Sequence, residues 1–157
     1  MESLMHQLRI EQARSIGYEK NGFAAEIKQL AVRIAGDVLQ EQAESLIEWI
    51  SIPPVRRPDA FKIISEERTV VALEVVHSHG IKDTKAIWYA RLHEHLIDLG
   101  WELNVEIADA VTGKAQIVDH PYSCWGLLIL MSGPAYDPKK GIHQSMWPQL
   151  RWMGLTP

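Results

Sequence analysis

The chain has 157 residues, 46% of them apolar and 23% charged, and a formal net charge of −4; this suits one globular domain with a sizeable core. The acidic balance excludes a protein that coats nucleic acid by charge alone, and no apolar run is long enough to span a bilayer, residues 125–131 being far too short. The first residues lack the basic and apolar blocks of a signal peptide, and the single Cys124 makes no internal disulfide, so the expected location is the cytoplasm, with no membrane association.

In chain order, residues 1–20 carry a weak helical pattern (Leu4, Met5, Leu8), closed by the turn signal Asn21-Gly22. The clearest helix is predicted over 23–43, where Phe23, Ile27, Leu30, Ala31, Ile34, Ala35 and Val38 recur at three- and four-residue spacing. Glu26 borders that stripe and is the acid of this helix best placed to look inward. Residues 46–52 are rich in β-branched and aromatic side chains and read as a strand ended by Pro53-Pro54. Residues 59–64 and 70–77 read as two further strands around the polar hairpin Ser65-Glu66-Glu67-Arg68, giving a three-stranded antiparallel meander. A second helix is predicted over 82–99, capped by Asp83 or Thr84 and followed by Gly100. Lys85, Trp88, Tyr89, Leu92, Leu96 and Leu99 share one face of it, with Lys85 near the end of the 70–77 strand. Residues 101–107 alternate apolar and polar, as a half-buried strand does, and a helical connection implies parallel pairing. Residues 109–123 read as a loop, 125–131 as a fifth strand, and the Trp- and Pro-containing extension over 132–157 as a segment packed on the domain or on a partner.

The chemistry gathers around two acids. Asp59 closes the run Arg56-Arg57-Pro58-Asp59, and Glu74 stands inside the apolar run Val70-Val71-Ala72-Leu73-Glu74-Val75-Val76. A charge inside an apolar strand is costly unless it is paired, exposed or bound to a metal. The hairpin brings Glu74 close to Asp59, and two converging carboxylates suit a hard cation such as Mg²⁺ or Mn²⁺.

The order helix, three strands, helix, strand, taken with Pro58-Asp59 and Glu74-Val75-Val76, resembles the core of the PD-(D/E)xK nuclease superfamily, the restriction-endonuclease-like fold, over about residues 23–107. The resemblance implies an α/β domain with a mixed central sheet flanked by helices, and metal-dependent phosphodiester cleavage of DNA. It implies Asp59, Glu74 and the Val75 carbonyl as metal ligands, with Glu26 completing the site from the first helix. The family lysine belongs at position 76, which here is Val76; Lys85, or Lys82, from the following helix is the substitute the resemblance suggests. Arg56, Arg57 and Lys82 are candidate phosphate contacts. Val76 and the acidic balance also motivate an alternative, a non-catalytic module of the same fold that binds nucleic acid or a protein partner. A homodimer suits an enzyme that cuts two strands.

Other constellations are weaker. His77 and His79 could pair on one strand face for zinc, opposite Glu74, while His93 and His95 are badly spaced for chelation on a helix. Gly-x-Ser-x-Gly and Walker-type glycine patterns are absent.

Overall fold

The computed structural model describes residues 4–76, 81–109 and 122–123. Four helices and a sheet form a layered α/β arrangement: α1 (Leu4–Arg14), α2 (Phe23–Ala35), α3 (Gln40–Ser51), β1 (Ala60–Ile64), β2 (Thr69–Val76), α4 (Asp83–Asp98), β3 (Glu102–Asp109) and β4 (Tyr122–Ser123). The sheet order is β1-β2-β3-β4. β1 and β2 are antiparallel, with Ala60 opposite Leu73, and the link between them is a short 3₁₀ turn over Ser65–Glu67 that Arg68 leaves in the left-handed region. β2 and β3 are parallel, with Glu74 opposite Ile107, and α4 makes the crossover. The helix-linked parallel strand is therefore as expected from the sequence.

Alternation along the strands separates two cores. Val70, Ala72, Leu103 and Val105 join Phe61 and the buried faces of α2, α3 and α4. Val71, Leu73, Val75 and Ala108 turn to the other face, under Ile10 and Ala13 of α1 and under Tyr18. On α4 the buried Tyr89, Leu92, Leu96 and Leu99 and the half-buried Lys85 and Trp88 follow the predicted stripe.

Several expectations are corrected. Residues 46–52 are not a strand; most of them belong to α3, because Ala43, Leu46 and Ile50 are buried at helical spacing while Glu41, Glu44, Ser45 and Glu48 stay exposed. Burial of that stripe outweighs the weak β preference of Ile47, Trp49 and Ile50. The meander thus has two strands, not three. The helix over 23–43 is interrupted: α2 stops at Ala35, Gly36 takes a positive φ of 50°, and Val38 is 89% exposed. α4 starts at Asp83 with Lys82 as its cap residue and no side-chain cap bond, so neither Asp83 nor Thr84 is the cap. Tyr122–Ser123, expected in a loop, pairs antiparallel with β3. His77, His79, Cys124, the strand expected over 125–131 and the extension over 132–157 lie outside the described residues. Among the described residues no helix is long and apolar enough to cross a membrane.

Candidate acidic site between two strands and a helix

Asp59 immediately precedes β1, and its backbone N–H donates to the Leu73 carbonyl at 3.0 Å. Its side chain then does what the next backbone carbonyl of a longer strand would do: Oδ2 accepts the Val75 N–H at 2.7 Å. The N–H and C=O of one strand residue point to the same edge, so the Val75 carbonyl opens on the side of Asp59. Oδ1 lies 3.4 Å from His6 Nε2, which α1 brings across the end of the strand.

Glu74 is the next acid along that edge and is buried in the α2–α4 layer. Two side chains of α4 reach one of its oxygens. Lys85 Nζ lies 2.5 Å from Oε1, and the Tyr89 hydroxyl donates to the same Oε1 at 2.5 Å. Lys85 and Tyr89 are four residues apart, one turn of α4, so both meet the same point on β2. Oε2 takes part in neither bond. Burial pushes the Glu74 carboxyl up to about 7; Lys85 opposes the rise and the nearby Asp59 adds to it. The carboxylate is the costly form in this setting even with an ammonium beside it.

Of the site residues expected from the sequence, the structure brings Asp59, Glu74, Val75 and Lys85 together. Glu26 does not join them: it is half-buried on α2, with no hydrogen bond or ion pair to either acid, and it is not among the charges acting on Glu74. Arg56 is half-buried three residues before Asp59, Arg57 is exposed, and Lys82 is exposed at the start of α4. Val76 ends β2 in register with Asp109.

Two features escaped the sequence reading. Tyr89 looked like a core residue of the α4 stripe, and nothing in the spacing marked its hydroxyl as a partner of Glu74. Glu106 looked like the solvent side of an alternating strand, yet it is 1% exposed and accepts the Tyr18 hydroxyl at 2.5 Å. It sits opposite Leu73, on the face away from Glu74. The faint pattern of α1 hid the layer that covers it. The α4 histidines are structural: buried His93 accepts the Leu103 N–H at Nδ1, and His95 packs on Trp49; burial lowers the pKa of both.

No family model, no curated protein and no solved structure matches the chain.

Proposed function

We propose that the edge formed by Asp59, Glu74 and Lys85 is the active centre of a metal-dependent nuclease of the restriction-endonuclease-like type, acting on DNA phosphodiesters. The observation that carries this reading is the meeting of a buried glutamate, a second carboxylate and an ammonium at the end of two paired strands. The donors suit Mg²⁺ or Mn²⁺, because all are hard oxygens: Asp59, Oε2 of Glu74 and the Val75 carbonyl. Among the described residues no three His, Cys, Asp or Glu side chains gather as a metal cluster. Two carboxylates suffice for a cation of this kind, which usually keeps several waters.

A bound ion would supply an activated water and offset charge on the phosphoryl oxygens. The chain's own residues do the rest. Tyr89 and Lys85 hold the Glu74 carboxyl through Oε1, so that Oε2 stays outside both contacts. His6 and the Val75 N–H hold Asp59 in one orientation. Lys85 takes the part that Val76 has no group to play: its ammonium orients the attacking water and stabilises the transition-state anion. Arg56 holds a neighbouring phosphate.

The test is cleavage of circular and linear DNA, single- and double-stranded, in Mg²⁺ or Mn²⁺. Asp59→Ala and Glu74→Gln should each abolish it while the circular dichroism spectrum stays unchanged. Activity surviving both substitutions overturns the reading. A second reading, a binding module of the same fold without catalysis, draws support from Val76 and from the Lys85–Glu74 contact, which is also a self-sufficient ion pair. It predicts that Mn²⁺ does not bind.

A further inference from the structure

Beside the acidic edge, α3 and α4 leave a groove of about 460 Å³, within the roughly 300–1,000 Å³ usual for small-ligand sites. Its floor is aromatic: Trp49 and Trp88 are both half-buried and stacked on each other, ring centroids 5.8 Å apart and planes 24° apart. Its wall includes Ile87 and Pro54, and Arg56 and Arg91 stand at the rim. Among the described residues no Asp or Glu lines it, although the whole chain is acidic. The neighbouring Ile52 and Ile87 are 59% and 44% exposed, an apolar surface that no described segment covers.

We infer that this groove receives an unpaired nucleotide of a DNA strand, with its base against the Trp49–Trp88 floor and its flanking phosphates on Arg56 and Arg91; the inference rests on the nuclease reading and names its substrate form. Three observations carry it. The groove offers two half-buried indoles together with cations, the combination that binds single strands whatever their sequence, because every base has a π-face. A paired base presents no such face to a protein surface. The cations are arginines, whose planar forks match phosphate oxygens. The groove and the acidic edge are also neighbours along the chain: Arg56 precedes Asp59 by three residues, and the lining residue Thr84 precedes Lys85 on α4. In this proposal a strand whose base enters the groove runs its backbone toward Asp59 and Glu74.

The test uses the full chain in EDTA, so that binding is measured without cleavage. Fluorescence anisotropy compares a short fluorescein-labelled oligothymidylate with a closed hairpin duplex that has no unpaired end. The oligothymidylate should bind at least about tenfold more tightly, and Arg91→Glu, a change at an exposed side chain, should weaken it by about tenfold. Binding should quench tryptophan fluorescence, and Trp49→Leu should reduce the quench. Should Trp49→Leu disturb the fold, Arg91→Glu still decides. Equal affinity for the duplex, or no effect of Arg91→Glu, overturns the inference. So does full displacement of the oligothymidylate by polyglutamate, which would assign the groove to acidic peptides, or by free thymidine monophosphate at equal concentration, which would assign it to mononucleotides. Oligothymidylate binding that meets these criteria in a protein that cuts no DNA keeps the groove and removes the nuclease reading. Cleavage by a protein with no preference for unpaired DNA removes the groove alone.

Discussion

Glu74→Gln separates the cost of the buried charge from the shape of the side chain. The amide oxygen can still accept from Tyr89 and Lys85, but nothing at position 74 ionises. In the folded protein the Glu74 carboxyl titrates near 7, against 4.5 for the ordinary group. A raised carboxyl pKa means that the folded state holds its proton more tightly than the unfolded chain does. Stability from this group is therefore complete below about pH 4.5 and is lost as pH rises through 7. Integrated between pH 5 and pH 8, the loss is roughly 2–3 kcal/mol, at 1.36 kcal/mol per pKa unit. The Gln variant is free of that loss. Urea unfolding in EDTA, followed by circular dichroism at both pH values, should thus show the variant gaining roughly 2–3 kcal/mol on the parent from pH 5 to pH 8. With a urea slope of about 1–3 kcal/mol per molar, that is a midpoint shift of about 1–3 M. A difference between the two proteins that does not change with pH would refute the argument, because it would mean that Glu74 ionises as freely in the fold as out of it.

Two further predictions concern the cation and the core. At pH 7, Mn²⁺ binding should release protons, since burial keeps part of the Glu74 population protonated there and a ligand must be ionised; calorimetry in two buffers of different ionisation enthalpy reads it, and heats that do not depend on the buffer would contradict the ligand assignment. Leu46→Ala should cost about 2–5 kcal/mol in urea unfolding, as a fully buried leucine of α3, whereas a cost below about 1 kcal/mol would show that α3 does not pack on the core as described.

The legible parts of the fold were those where local pattern and tertiary burial agree. The strands over 59–64 and 70–77 share a short polar link, so the closeness of Asp59 and Glu74 followed from spacing alone. Lys85 followed from the period of α4. The α3 segment was illegible because its branched and aromatic residues favour a strand locally, while the buried set Ala43, Leu46 and Ile50 only makes sense once α2 and α4 are beside it. Glu106 was illegible for a related reason: alternation says which residues share a face, and a weakly patterned helix covering that face leaves no mark in the strand itself. Glu26 drew attention by its place beside the stripe, but a residue at the border of a helical face can turn to either side, and no contact here turns it to Glu74.

The outer edge of β1 has a consequence for assembly. Phe61 exchanges both of its backbone hydrogen bonds with Glu19, at 2.8 and 2.6 Å, in an isolated antiparallel bridge. Alternate residues of the strand point to that edge, so of the five residues in β1 only Ile63 has its backbone groups directed outward beyond the bridge. One residue is too short a template for an incoming strand. Two copies of the chain therefore do not join by running their sheets together across β1, and the stretch after α1 acts as a guard against the edge-to-edge stacking that leads to fibrous aggregates.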